Sequence, residues 1–115
     1  MATRVLLFNN VTGEVLNCDF LVIPGLYSNV VSVTTTYAIG SKDEVVVCSN
    51  TTPFTVTLPA ATGTGHRLDV KNINTGSITL EGNLSETIDG ELNQTVDQWE
   101  NITVVDYATG TWGIL

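Results

Sequence analysis

Charge is scarce in this chain, and positive charge scarcest of all. Only 14% of its 115 residues are Asp, Glu, Lys or Arg, against about a quarter in an ordinary domain. Four basic residues, Arg4, Lys42, Arg67 and Lys71, stand against 12 acidic ones, for a formal net charge of −8. The four are scattered, which argues against direct nucleic-acid binding, because phosphate recognition needs clustered Lys or Arg. His66 is the only histidine, and no G-x-S-x-G elbow is present for it to serve. Cys18 and Cys48 lie far apart without metal or redox spacing, so both read as reduced strand residues. No apolar run approaches the roughly 18 residues that a membrane-crossing helix needs, so no membrane partner is expected. The short run Val5, Leu6, Leu7, Phe8 is followed by no adequate h-region or cleavage site, so no secretory signal is expected. The five Asn-x-Ser/Thr sequons, at Asn10, Asn50, Asn83, Asn93 and Asn101, then read as strand and turn residues rather than glycan acceptors. Helical periodicity is missing too, with no i, i+3, i+4, i+7 pattern longer than two turns.

What the chain does have is Val, Ile and Thr, whose β-branched side chains suit pleated strands. Hydrophobic residues make up 43%, too many for a disordered chain, and the length suits one domain. Residues 5–8 and 14–16 read as arms of a hairpin around a turn at Gly13. Phe20, Leu21, Val22 and Ile23 form another apolar run, stopped by Pro24 and Gly25. From Tyr37 onward the rhythm is regular. Phe54, Val56 and Leu58 alternate with Thr; Leu68 and Val70 with Asp69 and Lys71; Ile78 and Leu80 with Thr79. With Ile102, Val104 and Ile114 these residues account for one core. Asp89-Gly90 is a strong hairpin-turn signal, and residues 106–110 read as the last turn. Turn signals recur about every 8–12 residues, the spacing of a sandwich, barrel or prism of antiparallel strands. No strict internal repeat is visible, so a solenoid is not expected. The chain divides in character into an irregular segment, 1–36, and a periodic one, 37–115.

No constellation points to catalysis. Asp89 and Glu91 flank a turn glycine, and Asp97 and Glu100 flank Trp99; turn chemistry and solvation explain all four. No Asp/Asn-rich calcium loop ends in the required glycine, and Gly63-Thr64-Gly65 lacks the G-K-[ST] ending of a phosphate loop. No enzyme activity, metal or cofactor is expected. Trp99 and Trp112 could be sugar-stacking platforms or structural aromatics. Trp112 alternates with Ile114, which favours core or a subunit interface, and the same reading is preferred for Trp99.

One resemblance enters on a series of motifs. Tyr37 and Asp43 precede Val45-Val46-Val47. Then come Thr55-Val56-Thr57-Leu58-Pro59-Ala60-Ala61, a loop with Gly63 and Gly65, and Leu68-Asp69-Val70-Lys71-Asn72. Ser77-Ile78-Thr79-Leu80, Glu86-Thr87-Ile88-Asp89-Gly90 and Leu92 follow. Thr103-Val104-Val105 and Gly110-Thr111-Trp112-Gly113-Ile114-Leu115 close the series. In this order they resemble a β-rich module of tailed-bacteriophage virion proteins: tail fibres, spikes and head-attached proteins. The match covers roughly two thirds of the chain and departs at Ala108-Thr109-Gly110, where the family often places Asp or Asn before Gly. Residues 1–36 lie outside it.

The resemblance implies a non-enzymatic virion structural protein, located in the virion after assembly in the bacterial cytoplasm, and commonly a homotrimer. The fold expected is therefore all-β: a single antiparallel β-sandwich, barrel or prism-like domain with short strands and tight turns, packed as a trimer. Trimer packing would cover strand edges that this chain has neither helices nor lysines to guard. The first function expected is a capsid decoration, cement or head-fibre protein on the outside of the phage head, partnered by the major capsid protein or another virion protein. In that role residues 1–36 would anchor or intertwine, through Val5, Leu6, Leu7, Phe8, Phe20, Leu21, Val22 and Ile23. The alternative is a receptor-binding tip or short tail fibre, its exposed turns contacting host surface glycans.

Overall fold

The computed structural model describes the backbone of Phe8–Asn9 and Glu14–Val15, and the whole of residues 27–115. All of its regular elements are strands: β1 (Phe8–Asn9), β2 (Glu14–Val15), β3 (Val30–Val33), β4 (Tyr37–Ala38), β5 (Val45–Cys48), β6 (Phe54–Thr57), β7 (Arg67–Asn72), β8 (Ile78–Glu81), β9 (Thr87–Ile88), β10 (Asn93–Val96), β11 (Asn101–Ala108) and β12 (Thr111–Ile114). β1 and β2 pair antiparallel, Phe8 opposite Val15, as the turn at Gly13 predicts.

The remaining ten strands form two mixed sheets, one ordered β10-β8-β6-β4 and the other β3-β5-β7-β11-β12-β9. The antiparallel expectation is corrected here. β3 with β5, β5 with β7, β4 with β6, β6 with β8 and β9 with β12 are all parallel. Parallel neighbours cannot be joined by a tight hairpin and need a crossover. For the four pairs between β3 and β8 the crossover is a strand of the opposite sheet; between β9 and β12 it is β10 and β11. From β3 to β8 the chain coils, laying strands alternately in one sheet and the other, each stacked beside the strand two before it. The coil has no visible repeat because its spacing changes: Val30 pairs with Val45, but Val45 pairs with Asp69. An arch between sheets and a hairpin within one use the same Gly, Asn and Ser residues, so turn signals alone do not separate them.

One hydrophobic cluster joins both sheets. Val46, Cys48, Leu68, Val70, Val104 and Trp112 enter from the larger sheet, and Val56, Ile78, Leu80 and Val96 from the smaller. Of the core expected from alternation, Phe54 and Ile102 are half-buried against this cluster and Ile114 is exposed. Ile114 shares the phase of Trp112 and pairs with the buried Val104, but it is the last residue of β12 and is 36% exposed. Asp89 and Gly90 both have positive φ, 51° and 84°, and Ile88 and Glu91 exchange two backbone hydrogen bonds around them. That is the primed two-residue turn their identities predict.

Asn72 is a fully buried polar residue. Its Nδ2 donates to the carbonyls of Gly76 and Val96, each at 2.9 Å, and its Oδ1 accepts the Asn74 amide at 3.0 Å. It thus ties the end of β7 to the next turn and to the end of β10. Asn72→Ala should destabilise the protein by about 2–4 kcal/mol, since it orphans these buried groups and leaves a void. A urea midpoint within error of the parent would contradict this role.

Candidate functional site

Asp106 is the most unusual side chain of the described residues. The last turn was expected over 106–110, but β11 continues through Ala108 and only Thr109 and Gly110 make the turn. Asp106 follows the inward phase of Ile102 and Val104 and is 2% exposed. Its Oδ1 accepts the amides of Gly65 at 2.6 Å and His66 at 2.7 Å. Its Oδ2 accepts the Thr62 amide at 3.1 Å and, at longer range, the hydroxyls of Thr62 and Thr64. Burial alone would push this carboxyl up. The hydrogen bonds from Thr62, His66 and Gly65 outweigh it and hold the group below its ordinary value of 3.8. Gly63 and Gly65, with φ of 79° and 84°, let the loop wrap around the carboxylate where a side chain would strain.

Next to this cradle lies Trp112, fully buried, its Nε1 donating to the Pro59 carbonyl at 3.3 Å. The His66 ring sits against it, with centroids 6.2 Å apart, and His66 Nε2 lies 3.0 Å from the Asp43 carbonyl oxygen. The Asp43 carboxylate in turn accepts the Tyr37 hydroxyl at 2.6 Å and the Gly40 amide at 2.8 Å. The hydrogen bond to Asp43, then burial, raises the Tyr37 pKa. The Asp106 and Asp43 carboxylates thus hold the loops around them in place. Three of the carboxylates near turns do the same: Asp89 accepts the Ile114 amide, Asp97 the Ser77 hydroxyl and Glu100 the Asp97 amide.

Cys48 is buried in β5, and burial pushes its thiol up to about 11. A thiol so rarely ionised, and shielded by the core, should resist an aromatic disulfide reagent at pH 8 and react only on unfolding. Rapid labelling of the native protein at this position would contradict that.

The outward faces of the two sheets differ in chemistry. On the smaller sheet Thr55, Thr57, Thr79 and Thr95 alternate with the core residues, beside Ala38, Glu81 and Asn93. On the larger sheet Val30, Val45 and Val47 face outward from β3 and β5, and Val105 from β11. The Tyr107 ring covers Gly113, where an added Cβ would meet it at 2.8 Å. Arg67, Asp69 and Lys71 stand between these apolar flanks, with Asp69 accepting the Thr103 hydroxyl. β3, at the edge of this sheet, has one side without a strand partner among the described residues.

Of the aromatics expected in core or interface, Trp112 is core. Trp99 is not: it is 64% exposed in the turn between β10 and β11. Among the expected contact residues, Phe8 lies in β1. Val5, Leu6, Leu7, Phe20, Leu21, Val22 and Ile23 lie outside the described residues, as does Cys18. No protein-family model and no curated protein matches this chain.

Proposed function

We propose that this protein is a non-enzymatic structural component of a tailed-bacteriophage virion: a trimeric capsid decoration, cement or head-fibre protein bound to the outside of the head. The two sheets are read as a β-sandwich whose larger face meets two further copies. The observation that carries this reading is the outward face of that sheet. Val30, Val45, Val47, Val105 and Tyr107 offer apolar flanks around Arg67, Asp69 and Lys71, the apolar and charged mixture of a subunit junction. Burying such a face together with the open edge of β3 would stabilise an assembly and block strand addition. Of the 1–36 segment, the part before β3 is left to contact the shell.

Light scattering after size exclusion tests the assembly. A trimer is expected, and a double variant Val45→Glu, Val47→Glu should reduce it to monomers; a monodisperse parent monomer at micromolar concentration would overturn the trimer. Binding to undecorated, expanded capsids tests the location. A chain that fails to bind them is not a decoration protein.

A further inference from the structure

Trp99 combines two features that rarely meet without a function. Its indole is 64% exposed, and its backbone has a φ of 71°, a conformation that bulky residues adopt only under constraint. The constraint is visible. The Trp99 amide donates to the Asn72 carbonyl at 2.7 Å, and Lys71 Nζ donates to the Trp99 carbonyl at 2.6 Å. The Asp97 amide donates to Glu100 Oε1 at 2.8 Å, closing the turn. The ring is therefore held out from a fixed base.

The topology gathers other connections at this end. β3, β5 and β7 run parallel and β11 runs against β7, so 34–36, 49–53, 73–77 and 97–100 all emerge together. They are bonded to one another. Asn50 Nδ2 donates to the Thr34 carbonyl at 2.7 Å, and the Gly76 amide to the Asn50 carbonyl at 2.9 Å. Asn74 Nδ2 donates to Ser49 Oγ at 3.2 Å, and Ser77 Oγ to Asp97 Oδ1 at 2.7 Å. Apart from Trp99, their side chains are mostly hydroxyls, amides and carboxylates, with Ile73 and Pro53 the exposed apolar residues among them.

We propose that this end of the molecule is a carbohydrate-binding site, with Trp99 as the stacking platform and the surrounding turns as the hydrogen-bonding rim. A protein partner would be met by several large apolar anchors, whereas here the indole is the one large apolar group, with only Ile73 and Pro53 as smaller apolar neighbours, among groups that complement sugar hydroxyls. An indole offers an apolar face beside a polar edge, the pattern of a pyranose ring. Asp97, Glu100 and the net charge of −8 repel anionic polymers, so the ligand class is neutral: hexose or N-acetylhexosamine oligosaccharides. Turns already bonded together lose little freedom on binding. The inference does not depend on head attachment, which is proposed for the segment before β3.

The test is titration of the full chain with malto-, cello- and chito-oligosaccharides, with a polyuronic acid as the anionic comparison. Binding is followed by calorimetry and by tryptophan fluorescence, which reports Trp99 because Trp112 is sealed in the core. At least one neutral series should bind and the polyuronic acid should not. Trp99→Ala should weaken binding by at least about tenfold. Trp99→Gly should lose it equally while melting no lower than Trp99→Ala, since glycine suits the positive φ. Absence of binding by every neutral series at about 10 mM, or undiminished binding by both variants, would overturn the site. So would a Trp99→Gly protein whose only defect is in oligomeric state or capsid binding, which would make the indole a protein anchor.

Discussion

Asp106→Ala should cost the folded protein about 3–5 kcal/mol, read as a lowered urea midpoint. The reason is the number of groups that depend on one carboxylate. The amides of Thr62, Gly65 and His66 all point at it, and His66 also accepts the Asp106 amide at its carbonyl. Removing the acceptor unpairs the part-buried Thr62 and His66 amides, each worth up to about 1–3 kcal/mol when left unpaired, leaves the Gly65 amide only the Asp106 carbonyl, and frees the loop that packs over Trp112. Asp106→Asn should recover part of the loss, because its amide keeps one oxygen but turns a donor toward N–H groups. The acid dependence follows from the lowered pKa. A carboxyl whose folded pKa lies below its unfolded value contributes fully above the unfolded value, near 3.8, and loses that contribution as pH falls through the folded value. The parent should therefore lose stability on acidification below about pH 4, and Asp106→Asn should lose less over the same window. Parallel pH profiles for the two proteins would show that Asp106 is not the group responsible.

Trp112→Ala should be comparably damaging, at about 3–5 kcal/mol. Trp112 heads the fully buried side chains by volume, and the cluster around it is contributed by both sheets. Alanine would leave a void that this core cannot collapse into, because β12 is pinned by β11 on one side and by the parallel β9 on the other. Trp112→Phe should lose less, keeping most of the volume but orphaning the Pro59 carbonyl. Chemical denaturation of the three proteins measures the ranking. A parent and Trp112→Ala of equal stability would mean that the core closes without the indole.

Much of the strand content was legible from alternation alone. Phe54-Thr55-Val56-Thr57, Leu68-Asp69-Val70-Lys71 and Ile78-Thr79-Leu80 can face a core in only one phase, and Asp89-Gly90 can make only one kind of tight turn cheaply. Strand partnership was not legible, because period-2 patterning says which face is inward and nothing about which neighbour lies alongside. Asp106 was hidden for a different reason. Next to Gly110 its residue type argues for a turn, yet it shares the parity of Ile102 and Val104, and that phase is the signal that would have placed it inside. The exposure of Trp99 was not legible: a large aromatic is usually buried, and nothing local to Asp97-Gln98-Trp99-Glu100 announces a left-handed residue other than glycine. The chemistry of the turn end also needed the topology, since Thr34, Asn50, Asn74 and Asp97 are distant in sequence.

The place of β11 and β12 in the larger sheet has a consequence for synthesis. They come last among these strands yet sit between β7 and β9. While the ribosome is still producing residue 100, β9 has no sheet neighbour and the 61–66 loop has three amides aimed at a carboxylate that has not emerged. The coil of β3 to β8 can gather as it is made, but the sheet cannot close until the final hairpin inserts. The larger sheet thereby presents no finished outer face until β12 has been made.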